Sequence, residues 1–157
     1  MLLKKQCVKN THYKFRPTLK PQHNLLKAKK MTPRTELIKN FRGETLGEVS
    51  EQSSAEEVFQ NQVLRPILKL QNELILAMFQ SYLKQNKIDF DHLSVTHKLL
   101  SLENAIQKDV KFKHELKGII LGLFTLEEYR FYVLNATHLN KRMMTMLIER
   151  IKSQLTL

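Results

Sequence analysis

Apolar residues recur at helical spacing over one long stretch, residues 58–83, around which the rest of the chain is organised. At about 100° per residue, twelve apolar side chains of this stretch fall within an arc of roughly 200°. Charged side chains such as Arg65, Lys69 and Glu73 occupy the opposite arc. A helix that lies on a core needs an apolar stripe only a little over about 100° wide. The pattern therefore predicts one long central helix with neighbours on two sides.

Pro66 interrupts this stretch, because proline lacks an N–H group and crowds the carbonyl four residues before it. The apolar phase nevertheless continues from Val63 to Ile67 and Leu70 without a slip. Pro66 itself falls on the polar arc, where a freed carbonyl could reach water. Two interpretations stay open: a kinked continuous helix, which the phase favours, and two helices broken at Pro66.

Start and stop signals divide the rest of the chain into shorter helices. These signals are an N-cap with a closing glycine and two capping boxes: Thr32 with Gly43, Ser54 with Glu57, and Thr125 with Glu128. No segment shows a convincing strand pattern. The sequence predicts an all-α fold, a single-domain bundle of five or six helices with a long helix over 55–85 at its centre.

Positive charge is concentrated at the start of the chain. Residues 1–31 contain nine Lys or Arg and no acidic residue, whereas residues 32–157 contain 17 basic and 15 acidic residues. This division predicts a basic, disordered arm over 1–31 and a helical domain over 32–157. Three explanations of the arm stay open: a misassigned start with the true start at Met31, a solvated tail, and an arm that binds nucleic acid.

The sequence carries no signature of catalysis or of a metal site. The single cysteine, Cys7, excludes an internal disulfide and a multi-cysteine zinc site. The histidines lack metal-binding spacing, and neither a glycine-rich phosphate loop nor a nucleophile elbow is present. No apolar run approaches the roughly 18–20 residues that span a bilayer. We therefore expect a cytoplasmic protein without a cofactor, and the pattern favours a protein that is not an enzyme.

Polar side chains that fall within apolar arcs are the best candidates for contacts, since a buried polar group needs a partner. On the central helix they are Gln60, Gln71 and Ser81, and on the last helix they include Gln154. On the last helix, polar residues and neighbouring methionines form the candidate partner surface: Asn140, Met143, Met144, Ile148 and Arg150. Ordinary hydrogen bonds between helices are the alternative explanation of these polar groups.

Two glycines predict a different kind of contact. Gly118 and Gly122 lie four residues apart on one face of a predicted helix. A glycine inside a helix costs about 1 kcal/mol relative to alanine. The pair therefore predicts a close helix contact in which a Cβ atom would clash, with a tolerated loss of stability as the alternative.

Four blocks of the sequence carry a resemblance that extends over residues 31–155: LRPILK at 64–69, NAIQKD at 104–109, LKGIILGLF at 116–124 and LNKRMM at 139–144. They resemble a small uncharacterised all-helical bacterial family whose members sometimes carry the label "glyoxalase". The resemblance implies a helical fold and a start near Met31, and the label implies an enzyme of unknown chemistry. Familiar glyoxalases use βαβββ modules with His and Glu ligands, or an H-x-H-x-D-H motif. The sequence contains neither.

These observations favour an interaction or oligomerising protein without catalysis of its own, either a homodimer or a protein with another protein partner. The alternatives are an enzyme that matches the glyoxalase label and a nucleic-acid-binding protein that uses the arm. The near-neutral charge of residues 32–157 argues against nucleic-acid binding by the folded part.

Overall fold

The described chain is helical throughout. The computed structural model describes residues 32–47, 50 and 52–155, so the predicted arm lies outside the described residues. Eight α-helical segments and two π-helical turns follow one another: α1 (Pro33–Arg42), α2 (Ala55–Phe59), π1 (Gln60–Leu64), α3 (Arg65–Leu70), α4 (Asn72–Gln85), α5 (Val95–Glu103), π2 (Asn104–Lys108), α6 (Val110–Leu121), α7 (Leu126–Leu134) and α8 (Ala136–Lys152). Among these residues there is no strand, so the predicted all-α class is confirmed.

Local capping bonds explain where the helices begin. The side chain of Thr32 accepts the Thr35 N–H, and the side chain of Ser54 accepts the Glu57 N–H. Both bonds of a capping box are present at α7, where the Thr125 hydroxyl accepts the Glu128 N–H and the Glu128 carboxylate accepts the Thr125 N–H. These starts lie where the sequence predicts them, because each cap involves residues only three positions apart.

The predicted central helix is interrupted, but not at Pro66. The backbone stays helical from α2 through π1 into α3, and the Arg65 N–H donates to the Gln60 carbonyl five residues back. This wider turn relieves the crowding that a proline imposes on the preceding turn. The break comes at Gln71, which has φ −86° and ψ 7° and separates α3 from α4. One long central helix and a count of five or six helices are therefore not confirmed.

Pro66 is buried, so the prediction that it faces water is wrong. In a π-helical turn the Pro66 nitrogen would have donated to the Asn61 carbonyl, and proline has no hydrogen to give. The Leu46 N–H from the preceding loop donates to that carbonyl instead, at 3.2 Å. The loop comes close because Gly47, at φ +101°, has no Cβ to meet the Asn61 side chain.

The core is formed by aliphatic and aromatic side chains from α2 through α8, within one compact unit, Met31–Leu157. Its completely buried members include Leu64, Ile67, Ile75, Leu102, Ala105, Ile106, Leu116, Ile120, Met143, Leu147 and Ile151. The wide apolar arc predicted for the central stretch is only partly covered, since Leu70 and Leu74 remain exposed.

The predicted close helix contact at Gly118 and Gly122 is wrong. Gly118 is exposed, and a Cβ atom there would meet nothing within 4 Å. A Cβ atom at Gly122 would lie 3.3 Å from the carbonyl oxygen of Gly118, which belongs to the preceding turn of the chain and not to another helix. Instead, the Gly122 carbonyl accepts a hydrogen bond from Arg34 of α1 at 3.0 Å, and the Phe124 carbonyl accepts a second from the same guanidinium at 2.7 Å.

Candidate functional site

A polar groove runs along α8, with α2, π1 and α3 on its other side. It consists of two cavities that share Arg142. The first, which we call the arginine cleft, has a volume of about 290 Å³ and is lined by Arg65, Leu68, Arg142, Met146, Glu149, Arg150 and Ser153. Three arginines and one glutamate thus line the same small space, which gives the cleft an excess of positive charge.

The second cavity, which we call the α2 cavity, begins at the first turn of α2. Its volume is about 380 Å³, and its lining is mostly polar: Ser54, Glu56, Glu57, Gln60, His138, Leu139, Lys141, Arg142 and Thr145. Two carboxylates and two basic side chains make its formal charge balanced. Because Arg142 belongs to both cavities, the groove as a whole has a formal excess of one positive charge, and the arginines Arg65 and Arg150 lie at its α3 end.

The π-helical turn positions one wall of this groove. Gln60, the first residue of π1, is buried, and its side-chain oxygen accepts a hydrogen bond from Nε of Arg142 on α8. This bond involves only Nε, so the N–H groups on the two terminal nitrogens of Arg142 remain available as hydrogen-bond donors. Short π-helical turns are frequent at functional sites because they re-aim side chains out of the regular helical register.

Arg150 is held in a similar way from α4. Its Nη1 donates to Oδ1 of Asn72 at 3.1 Å, and Gln154 exchanges two hydrogen bonds with the same Asn72 amide, at 2.6 and 2.9 Å. Asn140, also on α8, accepts the Tyr132 hydroxyl at 2.7 Å. The polar groups in the apolar arc of the last helix therefore have hydrogen-bond partners within the chain. This agrees with the alternative explanation, which was that they form ordinary hydrogen bonds between helices.

The predicted partner surface on α8 is largely internal. Met143 is completely buried in the core, so its assignment to a surface is wrong. Met144 and Ile148 are half-buried and pack against that core. Asn140 and Arg150 make the hydrogen bonds described above, and Arg150 also lines the arginine cleft. The error arises because other helices of the same chain, among them α5 and α7, cover the apolar face of α8 from more than one direction.

A mixed groove between α4 and α6 was not predicted from the sequence. It has a volume of about 440 Å³, and Leu74, Met78, Tyr82, Asp109 and Phe112 are among its lining residues. The Tyr82 ring lies against the Phe112 ring, with centroids 4.6 Å apart. Burial, followed by the charge and hydrogen bond of the Asp109 carboxylate, raises the pKa of Tyr82 above its ordinary value. Ser81, another predicted contact residue, also lines this groove.

An exposed apolar stripe on α7 was likewise missed. Leu126, Tyr129 and Val133 are each about half exposed, and their spacing places them on one side of the helix. Tyr132, whose ring centroid lies 6.1 Å from that of Tyr129, is buried, and Leu134 at the end of the helix is highly exposed. In the sequence, the only indication of an exposed face was the apolar segment 131–134. Such a segment predicts a buried helix face just as well as an exposed one. We call Leu126, Tyr129 and Val133 the α7 stripe.

Within residues 32–47, 50 and 52–155, no three His, Cys, Asp or Glu side chains are grouped so that they could hold a metal ion. No described helix has the length and apolar character needed to cross a membrane. His92 bonds to Asp89 at 2.8 Å, which raises the pKa of His92, but both side chains are exposed in a loop.

The chain matches no protein-family model, no curated protein and no solved structure. The resemblance to the glyoxalase-labelled family therefore stays a prediction.

Proposed function

We propose that the protein is an interaction module, without catalysis of its own, that assembles as a homodimer through the α7 stripe. The observation that supports the proposal is the stripe itself: two aliphatic side chains and one aromatic ring, each about half exposed, on a helix anchored by its buried face. Exposed apolar patches with polar surroundings often mark protein interaction sites.

The chemistry of α7 favours a second copy of the chain as the occupant. In a two-fold antiparallel pairing centred between residues 129 and 130, Leu126 opposes Val133 of the partner subunit. The Tyr129 ring then opposes Arg130 of the partner subunit. Each contact occurs twice by symmetry, as a self-complementary interface requires. Arg130 is exposed and makes no hydrogen bond or ion pair with the described residues, so its guanidinium is available to lie over a tyrosine ring.

The test is sedimentation of the full chain over a wide range of protein concentrations. We expect a monomer–dimer equilibrium that Val133→Glu weakens at least tenfold, because a carboxylate would be placed at an apolar contact. Tyr129→Phe should retain dimerisation, since the ring that faces the arginine is kept, whereas Tyr129→Ala should weaken it.

Leu100→Glu is the matched control, since Leu100 lies on α5 and its exposure of 50% is close to the 53% of Val133. It should leave the equilibrium unchanged. A wild-type chain that stays monomeric at the highest concentration, or equal effects of Val133→Glu and Leu100→Glu, would contradict the proposed dimer.

A further inference from the structure

We propose that the arginine cleft between α3 and α8 is a binding site for the phosphate group of a small polar ligand. This site is separate from the α7 stripe and does not depend on dimer formation. Three properties of the cleft support the proposal: its charge, the hydrogen bonds that hold two of its arginines, and its size beside the adjoining α2 cavity.

The positive charge of the cleft is not neutralised by the protein. Arg65, Arg142 and Arg150 line the cleft with Glu149 as the one carboxylate. Among the described residues, no acidic side chain lies within ion-pairing distance of these arginines, and the ion pairs that do form involve Arg42 and His92. The formal excess is therefore two positive charges. A phosphate monoester near neutral pH carries between about −1.5 and −2 charges, which matches that excess.

Two of the guanidinium groups are fixed before any ligand arrives. Gln60 holds Nε of Arg142, and Asn72 holds Nη1 of Arg150. Each bond leaves other N–H donors on the same guanidinium group without a protein partner. Positioned guanidinium groups bind phosphate oxygens through parallel charge-assisted hydrogen bonds, and a side chain that is already ordered loses little entropy when it does so. Arg65, exposed at the start of α3, supplies the third group from the opposite wall.

The dimensions favour a phosphate group attached to a small polar body. At about 290 Å³, the arginine cleft lies at the small end of ligand sites and would be filled by a charged group rather than by a whole cofactor. The α2 cavity adjoins it at Arg142 and offers hydrogen-bonding side chains such as Ser54, His138 and Thr145, together with the carboxylates of Glu56 and Glu57. A ligand with its phosphate among the arginines could place hydroxyl or amide groups there.

The experiment is a calorimetric titration of the full-length protein with inorganic phosphate at constant ionic strength, with chloride as the reference anion. The nine basic residues within 1–31 attract any polyanion, so the deciding comparison is between variants that retain them. We expect Arg65→Ala to weaken phosphate binding about tenfold, because one of three charged contacts is lost. Lys84→Ala, which removes one exposed positive charge on α4, should change it less than twofold.

Two further measurements localise the site and identify the source of the phosphate. Phosphate should shift the nuclear magnetic resonance signal of the Arg142 Nε–H group. Tighter binding of pyrophosphate than of a phosphoserine peptide would indicate a free small molecule, and the reverse order would indicate a phosphorylated protein segment. No binding above the chloride reference, equal affinities of the Arg65→Ala and Lys84→Ala variants, or an unchanged Arg142 signal would overturn the proposal.

Discussion

Arg42 of α1 and Glu128 of α7 form a largely buried ion pair with two parallel hydrogen bonds. Nη2 of Arg42 lies 2.7 Å from Oε1 of Glu128, and Nη1 lies 2.9 Å from Oε2. The two side chains are only 5% and 15% exposed. The same carboxylate accepts the Thr125 N–H at 2.7 Å, so Glu128 caps its own helix and anchors α1 at once. A residue predicted only as a helix cap is thus also a tertiary contact.

Arg42→Ala should destabilise the protein by about 3 kcal/mol, because removal of one partner leaves the Glu128 carboxylate buried without its counter-charge. Urea denaturation of the two proteins measures this difference. Lys39→Ala, which removes an exposed basic side chain from the same last turn of α1, is the control and should change stability by less than about 0.5 kcal/mol. A loss no larger for Arg42→Ala than for Lys39→Ala would show that the pair behaves like an exposed one.

Gly118→Ala should stabilise the protein by up to about 1 kcal/mol, since alanine favours the helix and its Cβ would enter open space. Thermal and urea denaturation should both report the gain. A destabilised variant would restore the close-contact hypothesis, because only a neighbour at this face could reverse the effect of helix propensity.

Gly47→Ala should be more destabilising than Gly43→Ala. Both glycines have positive φ, at +101° and +73°, so both substitutions strain the backbone, by about 1–2 kcal/mol. Only at Gly47 would the new Cβ also meet a side chain, at 3.1–3.2 Å from the Asn61 amide. The difference between the two variants in urea denaturation therefore measures how tightly the loop packs on π1. Equal losses would mean that Asn61 moves aside freely.

Deprotonation of Tyr82 should reduce stability at alkaline pH. Burial and the Asp109 carboxylate raise its pKa above 10.0, so the folded state holds the phenolic proton more tightly than the unfolded state. The resulting stabilisation is complete below the unfolded pKa and is lost as pH rises through the folded pKa. Ultraviolet titration of the wild type against Tyr82→Phe should resolve this tyrosine as one that ionises above its ordinary range.

Asp109→Asn is the companion variant for that titration. Asparagine can still accept the Phe112 N–H and cap α6, but it removes the negative charge beside the phenol. The pKa of Tyr82 should then move part of the way back towards 10.0. It should stay above that value, because the part of the increase caused by burial remains. An unchanged titration curve would show that Asp109 contributes nothing to the shift.

The wide apolar arcs show why the sequence could not place the candidate site. On α8 the arc contained Arg150 and Met143 side by side, and nothing local indicates that Met143 is covered whereas Arg150 lines a cleft. The partner of Arg150 is Asn72, which is 78 positions away in sequence. The role of Asn72 follows only from the position of α4 after the interruption at Gln71.

By itself, the sequence determined the all-α class and the starts of α1, α2 and α7, because helix periodicity and capping depend on residues within a few positions of one another. It also indicated that the chain continues as helix across Pro66, since the apolar phase is a local property. Only the tertiary structure decided that the turn before Pro66 is π-helical and that Leu46 satisfies the Asn61 carbonyl. The pairing of Arg42 with Glu128 was decided in the same way, since contacts between distant residues depend on how the helices pack.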